Sequence, residues 1–390
     1  MFINGCIKYN NTVYMKVLII SHYLNFNINK NNPTNIFPAL LLKSIKDAGG
    51  TYVVCGFKKT EVLSNIKKGC NFILNFEEAS TENAINFNNN KYKSIVKHSY
   101  SASEISKAID IMFKTLSSIE KKVPMYPTVK VLQLIKSKTY LTVIPNKTKL
   151  FMPHTKTFMY YKTTVSEELE AACKYFLRKD IYDIVVKFGY SGDSEHVFRY
   201  SIDPEMDKID KEDLMTQMME YSHRCGLPYL VIIQPFNPII SNRLNEYRCL
   251  FTNGVMSPVA AFGFTLSPEK HHIFIPSIEL DPENINHAEI IAIAKYGYVQ
   301  FSKYIGFAPP VLRVDVSWVI DNGVKRYYIN EFEGLSGTYY FNIPYVPKDF
   351  GTIRLTDVYD CLPDTCVLYP PEVPIRLAHS LVRYILANIK

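Results

Sequence analysis

The residues best suited to chemistry lie in a predicted β-hairpin towards the C-terminal end of the chain. Arg313, Asp315 and Ser317 alternate with apolar residues on the first strand, and Glu331 and Glu333 lie two apart on the returning strand. Because residues two apart in a strand share a face, the hairpin would place three carboxylates beside one arginine. The Asp-Asn-Gly turn between the two strands is typical of such a hairpin.

The three carboxylates of this hairpin are candidates for a metal site. Carboxylates that share a pocket raise one another's pKa unless a divalent cation neutralises them. Hard oxygen ligands suit Mg²⁺ or Mn²⁺, with substrate phosphates completing the coordination. Asp315, Glu331 and Glu333 are therefore predicted to bind metal. An exposed hairpin with alternating charges explains the same pattern, and the hairpin alone does not decide between the two.

A second candidate feature is a lysine at the end of an apolar strand. Lys187 lies near the end of a predicted strand over residues 183–188, and a small flexible loop follows with Ser191, Gly192 and Asp193. The ammonium group and the backbone N–H groups of such a loop can bind phosphate. On its own this signal is weak, because lysines commonly precede turns.

A third candidate feature follows the predicted strand over residues 229–234. Gln234 leads directly into Pro235 and Phe236, and Glu246 follows about ten residues later. A segment that crosses between two subdomains can offer backbone N–H and C=O groups to the edge of an adenine. A nearby carboxylate can accept hydrogen bonds from ribose hydroxyls.

The N-terminal part of the chain is predicted to be a small α/β domain. Strands are expected over 15–22, 51–55 and 72–74, and helices over 36–48 and 102–118. A strand, a helix and a second strand within this distance form a βαβ unit, which implies a parallel sheet. No glycine-rich phosphate loop follows the first strand, so this domain is not expected to bind a dinucleotide by itself.

The remainder of the chain is predicted to be α+β. Helices are expected over 128–137, 166–177, 211–224, 287–304 and 374–390, and strands over 183–188, 229–234, 246–252, 311–320 and 326–330. Turn residues such as Asn253-Gly254 indicate that some of these strands form antiparallel hairpins.

Composition indicates a globular protein of two or three domains, since 390 residues exceed the roughly 150 that are typical of one domain. No apolar run approaches the roughly 18 residues that a membrane span needs, and no secretory signal is recognised. Eight cysteines are scattered without a C-x-x-C pair, which argues against a zinc ribbon. The expected location is cytoplasmic, with reduced thiols.

The charge distribution does not favour a specific nucleic-acid site. Residues 1–150 contain 21 lysines and 8 acidic residues, a net charge of +13, and the rest of the chain has a net charge of −6. However, the first arginine is Arg178, and arginine is the residue that binds phosphate and guanine in a bidentate manner. A solvated lysine-rich surface explains this charge better than nucleic-acid binding.

Taken in order, these features resemble the ATP-grasp superfamily over residues 127–345. The family's first nucleotide-binding lysine corresponds to Lys138, which follows a predicted helix, and a proline-bearing strand corresponds to residues 152–155. The other implied ATP-binding residues are Lys187, Ser191, Gly192, Gln234, Pro235, Phe236 and Glu246. The implied metal ligands are Asp315, Glu331 and Glu333, and Arg313 corresponds to the arginine that steadies the reacting group.

The resemblance also implies a division of the chain. A Rossmann-like pre-ATP-grasp domain would cover residues 15–125 after an extension over 1–14, and the two-subdomain ATP-grasp fold would cover 126–390. Within the latter, the expected parts are 126–233, 234–345 and a C-terminal segment over 346–390. Glu333 and Asp193 depart from the common family pattern, because both add negative charge near the phosphates.

The implied activity is that of a ligase that uses ATP and Mg²⁺ or Mn²⁺ to join a carboxylate to an amine or thiol through an acyl phosphate. The substrate would be a small molecule or a peptide terminus, and a homodimer is compatible with the sequence. Two alternatives remain open: a small-molecule kinase, and an ATP-binding assembly factor with little turnover. Neither a membrane nor a specific nucleic acid is an expected partner.

Overall fold

Three β-sheets form the framework of the protein. The computed structural model describes residues 14–21, 36–77, 81–89, 102–144, 150–151, 153–159, 165–189, 197–202, 230–241, 245–262, 277–335 and 372–389. The predicted helix over 211–224 and the loop residues Ser191, Gly192 and Asp193 lie outside these ranges.

The first sheet is parallel and has the strand order β2-β1-β3-β4. Its elements are β1 Lys16–Ile20, α1 Ile36–Asp47, β2 Thr51–Cys55, α2 Lys59–Lys67, β3 Phe72–Asn75, α3 Thr81–Asn88, α4 Ala102–Glu120 and β4 Met125–Tyr126. The central strands β1 and β3 are almost continuously apolar, as expected for strands covered on both faces. The predicted parallel α/β domain is confirmed, although the sequence did not reveal α2, α3 or β4.

The second sheet is antiparallel and has the order β5-β8-β6-β7. The elements of this region are α5 Val129–Ser137, α6 Tyr140–Val143, β5 Lys156–Met159, α7 Val165–Leu177, β6 Asp183–Phe188, β7 Val197–Ser201, β8 Leu230–Pro235 and α8 Pro238–Ser241. Alternate residues of β6 pack with α7 in one apolar cluster. The strand expected over 152–155 is displaced: the strand begins at Lys156, and His154 before it has a positive φ of 63°.

The third sheet is antiparallel, with the order β11-β10-β9-β12-β13. This region contains β9 Tyr247–Thr252, β10 Val255–Phe262, β11 Ser277–Glu279, α9 Ile285–Ile305, β12 Val311–Asp321, β13 Val324–Glu333 and α10 Glu372–Asn388. The Asn-Gly pairs at 253–254 and 322–323 have positive φ at both positions, the type I′ geometry that the sequence predicts for these hairpins. Of the helices that the structure describes, none has an apolar stretch long enough to cross a bilayer.

One apolar core joins the first and third sheets. Side chains from β1, β3, α1, β9, β12 and α10 belong to a single buried cluster. The hydroxyl of Tyr126, at the end of the parallel sheet, donates to the carbonyl of Val311 at the start of β12. The parallel sheet is therefore fixed against the strand that contains Arg313 and Asp315. The domain limits proposed from sequence stay predictions.

Candidate functional site

Lys138 and Lys187 are brought together by a close backbone approach. Lys138 caps the C-terminus of α5 in the left-handed conformation, with φ 57°. A Cβ atom on Gly189, just after β6, would lie 2.4 Å from the carbonyl oxygen of Ser137, so glycine is needed there. The end of β6, which contains Lys187, thus lies against the helix end that contains Lys138.

Glu331 on β13 is surrounded by three cationic side chains. The ammonium of Lys138 lies 2.8 Å from its Oε1, and both side chains are largely buried. Burial by itself would raise the pKa of Glu331, but the charges of Lys138, Arg313 and Lys187 lower that pKa to about 2. Glu331 is therefore ionised at neutral pH and lies at the centre of this positive region.

Lys187 has an unusual protonation equilibrium. Burial and the neighbouring charge of Lys138 lower the pKa of Lys187 to about 8, although Glu331 and Glu246 oppose the shift. Burial beside another cation destabilises the charged form of Lys187, and a bound anion would stabilise that form. This environment suits an anion-binding role.

Arg313 and Asp315 form a buried bidentate ion pair on β12. The Nε–Oδ1 and Nη2–Oδ2 distances are both 2.8 Å, and both residues are at most 5% exposed. Burial raises the pKa of Asp315 to about 6, while Arg313 and Arg248 lower it and Glu246 raises it. Charges in this part of the site are thus closely balanced.

The predicted pairing of the β12–β13 hairpin is confirmed. Arg313 lies opposite Glu333, and Asp315 lies opposite Glu331. Within the described part of the chain, no three His, Cys, Asp or Glu side chains are grouped closely enough to hold a metal ion. The carboxylates of Asp315 and Glu331 instead face arginine and lysine, so the metal role of the three acids stays a prediction.

A β-bulge lies beside the hairpin acids. The register shifts after the Asp315–Glu331 pair, because Val316 lies opposite Ile329, so Asn330 is the extra residue. Ile329 and Phe332 both belong to the apolar cluster around α9, and Asn330 and Glu331 between them both lie off that core. The bulge thus directs two adjacent polar residues to the same side.

The predicted adenine segment is only partly available to a ligand. The side chain of Gln234 is buried, and its Nε2 donates to Thr155 Oγ1 at 3.2 Å. Pro235 has no N–H, and the N–H of Phe236 donates to the carbonyl of Asp183 at 2.8 Å. Neither Pro235 nor Phe236 thus has an N–H available to an adenine edge, and the adenine-binding role of the segment stays a prediction.

Neighbouring residues fix the geometry of this segment. The Phe236 ring stacks on Arg199, whose guanidinium carbon lies 3.9 Å from the ring centroid. Asn237 Nδ2 donates to the Trp318 carbonyl at 2.8 Å, which connects the segment to β12. Sequence reasoning did not identify Asn237, although an asparagine after Pro-Phe at a strand end is a recognisable turn signal.

Glu246, the predicted ribose acid, is held by two polar side chains. Asn330 Nδ2 donates to its Oε1 at 2.7 Å, and Arg248 Nη2 lies 3.4 Å from its Oε2. Glu246 is 9% exposed and Arg248 is 7% exposed. Neither Asn330 nor Arg248 was predicted to be functional. Arg248 could have been found from its position two residues after Glu246, but Asn330 reaches the site only because of the bulge.

This arrangement of sheets matches solved structures over nearly the whole chain. A D-cycloserine synthetase is 14% identical, with a TM-score of 0.56, and the match covers 95% of this chain and 99% of that one. The order of a parallel sheet followed by two antiparallel sheets completes the correspondence.

The chain has the ATP-grasp fold. A RimK domain ATP-grasp protein from Sphaerobacter thermophilus is 12% identical over 95% of this chain and 99% of that chain, with a TM-score of 0.49. D-alanine–D-alanine ligase from Bacillus anthracis, solved with ATP, is 13% identical over 96% and 99% of the two chains, also with a TM-score of 0.49. No protein-family model and no curated protein sequence matches this chain.

The charges around Glu331 are compatible with a bound polyphosphate. Lys138, Lys187 and Arg313 all lower the pKa of Glu331, so three positive charges act at one point. A polyphosphate would compensate these charges, and carboxylate oxygens of β12 and β13 are the ligands that Mg²⁺ prefers. Lys138 and Lys187 would be the residues that hold the phosphates, and the binding of a cation by Asp315, Glu331 and Glu333 stays a prediction.

Proposed function

We propose that the protein is an ATP- and Mg²⁺-dependent ligase that joins a carboxylate to an amine or thiol through an acyl phosphate. The observation that supports this most directly is the 2.8 Å ion pair of Lys138 with Glu331, whose pKa is lowered further by the charges of Arg313 and Lys187. These residues come from a helix end, the first antiparallel sheet and the second, so the charges meet only in the folded chain.

The phosphates of ATP would lie between the two lysines. Lys138 belongs to a helix cap and Lys187 to β6, so phosphate oxygens between them would receive charge-assisted hydrogen bonds from two separate elements. Binding of the polyphosphate would take the ammonium of Lys138 away from Glu331, which leaves the carboxylate available to a cation. The bound cation would neutralise charge on the phosphates during transfer.

The reaction would take place in two displacements. An oxygen of the substrate carboxylate attacks the γ-phosphorus, the bond to the β–γ bridging oxygen breaks, and ADP leaves. The nitrogen of the amine then attacks the carbonyl carbon of the acyl phosphate, and the carbon–oxygen bond to phosphate breaks. The amine loses a proton to solvent, so the products are an amide, ADP and inorganic phosphate.

The contribution of the protein would be positioning and charge neutralisation. Phosphoryl transfer spreads negative charge over the transferred oxygens, and preorganised cations stabilise that charge without moving. Asp315 holds the Arg313 guanidinium in a fixed plane through two hydrogen bonds, which orients it for a reacting oxygen. Arg313 is accordingly the residue assigned to the transferring group.

The test uses product analysis with pairs of amino acids and other small carboxylates and amines. A ligase releases ADP and free phosphate only when a carboxylate and an amine are both present. Hydroxylamine in place of the amine should trap the acyl phosphate as a hydroxamate. Phosphate retained on the acceptor would indicate a kinase, and ATP binding without ADP release would indicate an assembly factor.

A matched pair of lysine variants controls this experiment. Lys187→Met should lose ADP release, whereas Lys179→Met should retain it, because Lys179 is exposed, stacks on Tyr175 and is not among the charges that act on Glu331. Equal activity of the two variants would contradict the assignment of the phosphate site.

A further inference from the structure

The contacts of Glu246 point to a role for the bulge residue of β13. Both oxygens of this carboxylate have a protein donor: Asn330 Nδ2 lies 2.7 Å from Oε1, and Arg248 Nη2 lies 3.4 Å from Oε2. A carboxylate held at both oxygens cannot rotate freely, so the directions of its remaining lone pairs are fixed. A ligand that donates to Glu246 would therefore meet a preorganised acceptor.

Asn330 also presents an acceptor of its own. Its Oδ1 is shielded from solvent and accepts no hydrogen bond within the described part of the chain. A buried polar atom without a partner is uncommon in a folded protein, and it is explained most simply by a ligand or water that supplies a donor. Glu246 and Asn330 together offer adjacent acceptors, which suit a pair of neighbouring hydroxyl groups.

Arg248 connects this acceptor pair to the other end of the cleft. It lies directly opposite Asp315 in the pairing of β9 with β12. Arg313 forms two hydrogen bonds of 2.8 Å with Asp315, and Arg248 lies 3.4 Å from Glu246, so these four buried side chains form one set of charges on neighbouring strands. Arg248 therefore neighbours both Glu246, which would bind the sugar, and Asp315, which would bind the metal.

We propose that Asn330 and Arg248 are positioning residues that fix Glu246 to bind the two ribose hydroxyls of the nucleotide, with Asn330 Oδ1 as a second acceptor. This inference rests on the proposed ATP site and assigns residues to its sugar end. The bulge is what makes the arrangement available, because regular pairing would not place both Asn330 and Glu331 off the apolar core.

The experiment compares the binding of ATP, 2′-deoxyATP, 3′-deoxyATP and inorganic tripolyphosphate by calorimetry, each with Mg²⁺. The parent protein should bind ATP at least about tenfold more tightly than either deoxy analogue, as expected for a hydrogen bond to a charged group. In Asn330→Ala this preference should fall to less than about threefold. Affinity for tripolyphosphate should be unchanged, because Lys138 and Lys187 are intact.

Two further variants make the result specific. Asn330→Asp keeps the shape of the side chain but cannot donate to Glu246, so it should lose the preference in the same way. Asn286→Ala is the matched control. Asn286 lies in α9, outside the proposed site, and accepts a hydrogen bond from the Tyr327 hydroxyl. This variant should retain the parent preference.

Two results would overturn the inference: an unchanged preference for ribose in both Asn330 variants, or equal losses of ATP and tripolyphosphate affinity, which would show general damage. A parent protein that binds tripolyphosphate and ATP without any preference for ribose would also overturn it, while leaving the phosphate site in place. A parent protein that binds neither would contradict the proposed function itself, together with the inference that rests on it.

Discussion

The ammonium of Lys138 and the carboxylate of Glu331 form an ion pair of 2.8 Å between two residues that are predicted to bind opposite partners. Lys138 is assigned to phosphate and Glu331 to a divalent cation. In the protein without ligand, each satisfies the charge of the other. In the proposed complex, this pair would have to separate before phosphate could contact Lys138 and a cation could contact Glu331.

We predict that Mg²⁺ and Mn²⁺ bind weakly without nucleotide and much more tightly with a non-hydrolysable ATP analogue. The physical reason is that Lys138 competes with the cation for Glu331, and Mg²⁺ is usually held by one or two carboxylates together with phosphates. Calorimetric titration of Mn²⁺ with and without the analogue measures the difference. In Lys138→Met, binding of Mn²⁺ alone should become tighter while ATP binding becomes weaker. If the affinities for Mn²⁺ and for ATP both rose or both fell in Lys138→Met, the proposed competition between Lys138 and the cation would be contradicted.

Replacing Lys187 by methionine should weaken ATP binding by about 1.5–3 kcal/mol, the range for a hydrogen bond to a charged group. Lys179→Met removes an exposed lysine from the same sheet region and serves as the control. Isothermal titration of both variants with ATP provides the comparison. Parent-like affinity in Lys187→Met would exclude this lysine from the phosphate site.

The affinity for ATP should decrease as the pH rises above about 8. The pKa of Lys187 is lowered to about 8, so its ammonium is lost above that value in the free protein, and phosphate binding must then take up a proton. Lys187→Arg should show a flatter profile between pH 7.5 and 9.5, because arginine stays protonated there. Affinities measured across this range in the two proteins test the assignment, and identical slopes would refute it.

The backbone of Lys138 allows a stability prediction. A side chain with a Cβ atom in the left-handed conformation costs roughly 1–2 kcal/mol, whereas glycine adopts it without this cost. Lys138→Gly should therefore have a free energy of unfolding about 1 kcal/mol higher than Lys138→Ala, although both lack the ammonium. Urea denaturation of the two variants measures this difference directly. Equal midpoints would show that the helix end relaxes in the variants.

The hairpin acids should differ in their tolerance to substitution. Glu331→Gln should abolish turnover and keep most of the adenine affinity, because the segment around Gln234 and the contacts of Glu246 are unchanged. Glu333→Asn introduces a residue common in the family and should be tolerated far better. Metal-dependent ADP release is compared with nucleotide affinity in both variants. Full activity of Glu331→Gln would remove the main support for the metal assignment.

Local sequence patterns were sufficient to predict the strands that hold the site. The β12–β13 hairpin follows from alternating side chains around an Asn-Gly turn, and its register brings Asp315 opposite Glu331. The β9–β10 hairpin follows from the same turn chemistry. The apolar strand β6 was predicted with its observed bounds. These elements are determined by interactions between residues close in sequence, so their patterns are visible without a structure.

The partners of the charged side chains could not be predicted in this way. The pairing of Lys138 with Glu331 depends on the approach of α5 to β13, and it is fixed by packing between distant segments. The bulge at Asn330 was not predicted either, although the two consecutive polar residues Asn330 and Glu331 interrupt the alternation expected of a regular strand. The short strand β4 was not predicted, because two residues are too few to show a periodic pattern.

The apolar cluster shared by the parallel sheet and β12 has a consequence for folding cooperativity. Leu377 and Leu381 of α10, Val17 of β1 and Val311 of β12 are all fully buried in this one cluster. Separating the N-terminal region from the rest would expose apolar surface on both pieces, so neither is expected to melt alone. Calorimetry should show a single transition, in which amide protons of β1 and β12 exchange with the same protection. Two resolved transitions would show that the halves are energetically independent.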